Sequence, residues 1–169
     1  MSLTNAQIQK YKNTKLSANF TLFEMLNSST YPSLVTAPSE AVKDALTKFA
    51  ADVLQPIRDH AGPIRINSGW RNKSLNAAVG GVYNSVHRIF DNSGEFLGVA
   101  ADIVPLKSGI KLEDLAKWIY KNIPVKTVII YRKPNVTRTP FLHVDTRVNR
   151  KGKALLEKVG SNKYVNFED

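Results

Sequence analysis

The chain has 169 residues, 43% hydrophobic and 22% charged, with 24 basic against 14 acidic residues and a formal net charge of +10. That length and apolar content suffice for one domain with a buried core, and no apolar run approaches the roughly 18 residues that a membrane-spanning helix needs. The absence of cysteine excludes disulfides, a thiolate nucleophile and Cys-ligated zinc, so any metal must be held by His, Asp or Glu. The polar start, MSLTNAQIQKYKNTK, lacks the apolar middle of a secretion signal, and the compartment stays open. The excess positive charge points to an anionic partner such as nucleic acid, anionic lipid or a phosphate-bearing cell wall, or simply to a well-solvated surface.

No repeat, low-complexity tract or long linker divides the sequence, which favours one continuous domain over 1–169, with 1–15 and 150–169 as peripheral extensions. Phe20, Leu22, Phe23, Met25 and Leu26 cluster as a short helix laid on the body, and a loop-like stretch follows to Pro38. A strong helix opens at the N-cap Ser39 and carries Val42, Leu46, Phe49, Val53 and Ile57 at helical spacing. Pro56 removes a backbone donor and should kink it or start a new turn. Strands are expected at 63–68, 100–104, 127–131 and 141–146, and an amphipathic helix over Leu112 to Asn122. Arg147 to Lys163 is basic and carries weak structural signals. Helices placed early and between strands imply a small α+β domain with a mainly antiparallel sheet flanked by helices.

The chemistry concentrates in Ser68-Gly69-Trp70-Arg71, Ser85-Val86-His87, Gly98-Val99-Ala100-Ala101-Asp102 and Phe141-Leu142-His143-Val144-Asp145. These motifs, in this order, resemble the M15 peptidases, the D-Ala-D-Ala carboxypeptidase and L-alanyl-D-glutamate endopeptidase group, whose hallmark is S-x-H-x-x-G-x-A-x-D followed by a distant histidine. The similarity runs from about Leu16 to Arg147. It implies a hedgehog/D-Ala-D-Ala-peptidase-like fold and one zinc ion held by His87, Asp102 and His143. Zinc chemistry agrees: two imidazoles and a carboxylate leave an open position, and the residual positive charge can activate water and polarise an amide. Lone histidines are more often packed or exposed than ligating, yet Asp102 inside the apolar run 99–104 needs a partner or a metal to offset its desolvation. His60, at the end of a helix, is assigned a structural role.

Two departures from the family pattern matter. Asp102 follows His87 by 15 positions, 8 more than the pattern has. The extra residues lie within 88–97, where Asp91-Asn92-Ser93-Gly94 reads as a hairpin turn that would lengthen the connection without moving its ends. Some family members also carry an acid three residues before the last His, where this chain has Pro140. Asp145 is the substitute, since i and i+2 share a face of a strand; it reads either as the catalytic base or as a group that orients His143. Arg71 is the candidate anchor for a substrate carboxylate, with a surface salt bridge as its bland reading. Ser85 would bind substrate or steady the metal loop, and Trp70 and Tyr131 line either the cleft or the core.

The expectation is therefore a zinc peptidase acting on peptidoglycan stem peptides at an anionic cell wall, monomeric, without a membrane span and not a nucleic-acid binder. The rivals are an inactive wall-binding domain of the same fold, favoured by the insertion and by the missing acid, and a basic nucleic-acid-binding protein, favoured by charge alone.

Overall fold

The computed structural model describes residues 1–132, 139–160 and 163–167. Its first helix, α1 (Asn5–Asn13), opens on a capping box in which Thr4 and Gln7 satisfy each other's backbone donors, and it buries Tyr11. A second capping box, Thr21 with Glu24, starts α2 (Leu22–Leu26), whose Leu22, Met25 and Leu26 are buried. The short helix expected there is present.

Ser39 caps α3 (Glu40–Phe49), accepting from Val42 N at 3.3 Å. The chain then widens into one π-type turn, Ala50–Leu54, before α4 (Gln55–Ala61). Pro56 accounts for that widening: it has no N–H to offer the preceding turn, and its ring would press on the carbonyl four residues back. The helix is thus neither broken nor restarted, and Val42, Leu46, Phe49, Val53 and Ile57 stay on one buried stripe. Gly62, at φ +78, ends α4 by donating to Arg58 O.

The six strands are β1 (Ile64–Ser68), β2 (Ala100–Pro105), β3 (Thr127–Tyr131), β4 (Phe141–Asp145), β5 (Ala154–Lys158) and β6 (Tyr164–Asn166). They form one sheet in the order β1-β2-β4-β3-β5-β6, antiparallel throughout except for the parallel pair β3–β5. Between them lie α5 (Lys73–Ala78) and α6 (Leu112–Asn122). This is a small single domain of the α+β class, as the element pattern implies.

Alternation along the strands sorts the two faces. Ala101, Ile103, Val128, Ile130, Leu142 and Val144 join the apolar core with the stripe of α3–α4 and with Leu115, Ala116 and Ile119 of α6. The opposite face therefore receives Asp102, His143 and Asp145. β5 and β6 fall inside the stretch taken from sequence as a peripheral extension; they extend the β3 edge of the sheet. Residues 161, 162, 168 and 169 of that stretch lie outside the described residues.

Candidate metal centre

Asp102 and His143 arrive from neighbouring strands in direct register, Asp102↔His143, so their side chains meet on the polar face. His87 comes from a short 3-10 turn, Val86–Arg88, that folds over this face. All three residues are buried, and one potential ligand atom from each lies within 4.8 Å of the others. The closest approaches are His143 Nδ1 to Asp102 Oδ1 at 2.9 Å and His87 Nε2 to Asp102 Oδ1 at 3.4 Å. The 8 extra residues have not pulled His87 away.

The reason is visible in the insertion itself. It turns back on a single antiparallel bridge, Phe90↔Phe96, with Asp91 Oδ1 accepting from Ser93 and Glu95 amides and Gly94 at φ +86. Leu97 N then donates to Ile89 O at 2.7 Å, closing the excursion where it began. Arg88, next to the ligand, is almost wholly buried and ties the hairpin to the loop before it, donating to Asn92 Oδ1 at 2.9 Å and to Tyr83 O.

Gly69 and Gly98 are required by contact with backbone. Gly69 lies so close to α2 that a Cβ would come within 2.5 Å of Met25 O. Its own carbonyl accepts from His87 Nδ1 at 2.7 Å, which leaves Nε2 unprotonated and facing Asp102. Gly98, at φ +112, presses on the Arg147 backbone, where a Cβ would meet Cα at 2.7 Å.

His143 has a carboxylate at each ring nitrogen: Asp102 at Nδ1 and, at 2.9 Å, Asp145 Oδ2 at Nε2. Burial alone would lower its pKa, but the hydrogen bonds to Asp102 and Asp145 outweigh it and raise the pKa to about 9. His87 is pulled the other way, with burial dominating, and is held neutral. Burial pushes Asp102 upward, yet the charged, hydrogen-bonded His143 beside it helps to hold it well below the usual carboxylate range. Asp145 follows the same logic with His143 and Arg147 as its partners. Its side chain has no solvent exposure, and Arg147 grips both oxygens, Nε reaching each at 2.9 Å.

Arg71 stands beside the ligands but is engaged there. Its guanidinium lies 3.3 Å from Asp102 Oδ2, Nε donates to Ser68 Oγ at 2.9 Å, and its amide donates to His87 O. Ser85 opens the turn that carries His87, and its hydroxyl makes no hydrogen bond among the described residues. Trp70 is partly buried against the core with Nε1 donating to Arg88 O, and Tyr131 faces the metal side, its ring 6.5 Å from that of His143. His60, remote from the centre, stacks on Trp118 at 3.7 Å.

A family model described as Peptidase M15 matches residues 18–145. The chain belongs to the M15 peptidases, and it is accordingly a hydrolase of the peptidase class with a candidate His-Asp-His metal site. No curated protein matches it. Among the described residues, no helix is long and apolar enough to cross a membrane.

The donor set fits a zinc ion. His87 Nε2, Asp102 Oδ1 and His143 Nδ1 would hold it, and each imidazole gives its other nitrogen to an oxygen acceptor, the arrangement that fixes a ligating tautomer. Sequence reading missed Arg147. The signal was there in the alternation of His143, Asp145 and Arg147, read only as far as Asp145.

Proposed function

We propose that this peptidase is zinc-dependent and hydrolyses amide bonds in the stem peptides of bacterial peptidoglycan, as a D-Ala-D-Ala carboxypeptidase or as an endopeptidase. The observation that carries the reading is the convergence of three buried ligand atoms within 4.8 Å, with the remote nitrogen of each histidine already committed to an acceptor. Zinc bound there would supply a Lewis acid that polarises an amide carbonyl and makes water nucleophilic near neutral pH.

The protein's own groups set the conditions. Gly69 O and Asp145 orient His87 and His143, and burial keeps His87 neutral and ready to ligate. Asp145 acts in this reading as a positioning residue rather than the base. A base must reach the proton it takes, and Asp145 is fully buried, gripped by Arg147 and strongly acidic. Arg71 borders the site and offers its remaining donors to a substrate carboxylate, with Ser85 contributing a free hydroxyl at the rim. The net charge of +10 suits work on an anionic wall, reached by secretion, in the periplasm or by phage delivery.

The test is metal analysis of protein purified without added metal, combined with release of amino groups from peptidoglycan of several chemotypes. One zinc per chain and new amino groups are expected, with zinc lost in His87→Ala and His143→Ala. Zinc retained by both variants would sink the site. The commitment of Asp145 to Arg147 favours one second reading, a wall-binding domain without activity. Stoichiometric zinc and co-sedimentation with the wall, with no amine release from any chemotype, would establish it.

A further inference from the structure

The sheet register sets a second row of side chains beside the metal row. Asp102 pairs with His143, His143 with Ile129 and Ile129 with Leu156, so these four leave the same face. Two residues along β3, Tyr131 pairs with Phe141 on one side and Lys158 on the other, and Lys158 pairs with Tyr164. A displacement of two residues returns side chains to the same face. Phe141, Tyr131, Lys158 and Tyr164 therefore form a row adjoining the metal ligands, half of it supplied by β5 and β6.

The contacts make this row one surface. The rings of Tyr131 and Phe141 stack 4.6 Å apart at 9°, and the hydroxyls of Tyr131 and Tyr164 lie 3.4 Å apart. Lys158 Nζ sits 5.1 Å from the Tyr131 ring centroid and 5.7 Å from that of Tyr164. Tyr131, Phe141 and Lys158 are half-buried and Tyr164 is 42% exposed, so a ligand reaches the row from solvent. Burial above all keeps the Tyr131 hydroxyl protonated, and hence a donor.

What separates this row from the other cations of the site is the state of its charge. Arg71 is engaged by Asp102 and Arg147 by Asp145. Lys158 has no acidic partner among the described residues; two aromatic faces hold its ammonium instead. An oriented ammonium with no counter-ion among the described residues, set among ring faces beside an amide-cleaving centre, matches a segment that is part aliphatic and part carboxylate.

We propose that Phe141, Tyr131, Tyr164 and Lys158 form a substrate subsite that takes a carboxylate-bearing residue neighbouring the scissile amide. The rings pack on its methylene groups and the Lys158 ammonium pairs with its carboxylate. The inference rests on the peptidase reading given above and names the charge of the substrate that the same site selects. It also predicts discrimination against peptides in which that carboxylate is amidated.

The probes are two soluble peptides, L-alanyl-γ-D-glutamyl-L-lysyl-D-alanine and its counterpart with the D-glutamyl α-carboxylate converted to carboxamide. Their binding to the zinc-loaded protein is measured by calorimetry in the cold, with melting temperatures recorded for every variant. The wild type is expected to prefer the acid by about 10-fold, the size of one charge-assisted contact. In Lys158→Met the ratio falls to about one, and Lys158→Arg restores most of it. A ratio of one in the wild type, or an undiminished ratio in Lys158→Met, overturns the subsite. If the protein cleaves stem peptides while that ratio is one, only the subsite falls; if it neither binds nor cleaves them, the peptidase reading falls with it.

Discussion

His143 is the residue on which the centre turns, because both of its nitrogens are spoken for and only one can face a metal. With Asp102 and His87 on the Nδ1 side, Nε2 is left to donate to Asp145. Asp145→Asn weakens that bond and strips Arg147 of its counter-ion. Zinc affinity should fall by about 10–100-fold, the usual consequence of losing a carboxylate behind a ligating histidine. Competition with a chromophoric chelator measures it. A variant with unaltered zinc affinity but no turnover would instead make Asp145 the base. The ligands were legible through the order of motifs that resembles the M15 pattern, with two imidazoles and a carboxylate fitting zinc chemistry despite the altered spacing. Arg147 was not, since a basic residue in a basic segment looks like surface until the strand alternation is followed two residues further.

At the level of elements, the hairpin within 88–97 is closed by its own contacts and joined to the metal loop through Arg88. Replacing Asp91–Glu95 by a two-residue Asn-Gly turn should leave one zinc bound per chain. Loss of the metal with an unchanged circular dichroism spectrum would show that the hairpin tip helps to place His87. Gly98→Ala is the harsher change. Its backbone sits at φ +112 against Arg147, and the strained conformation alone costs about 1–3 kcal/mol, read from urea unfolding. Of the elements, α2, α3–α4, α6 and β1 to β4 were legible from apolar periodicity. α1 and α5 were not, since each buries only a narrow stripe and depends on caps at Thr4 and Asn72. β5 and β6 escaped because lysines punctuate their ends and their apolar residues gain meaning only from pairing, β5 with β3 and β6 with β5.

For the molecule as a whole, the buried charges couple folding to pH and to metal. In the metal-free protein His143 has its pKa raised from 6.5 to about 9. The stability it contributes is complete below about pH 6.5 and is lost as pH rises through about 9. The melting temperature of chelator-treated protein should therefore decline across that window, and a flat profile would mean that His143 is not protonated between its two carboxylates. Zinc at 100 times its Kd should add about 2.7 kcal/mol, roughly a 5–10 °C rise for a chain of this size. The parallel pair β3–β5 carries a further consequence. During synthesis His87, Asp102 and His143 all leave the ribosome before Ala154. The ligands and the four strands β1 to β4 can thus assemble on the nascent chain while the β3 edge still presents unpaired backbone groups. That open edge, like the outer edge of β1, invites aberrant strand pairing in the emerging chain, and β5 is the segment whose arrival covers it.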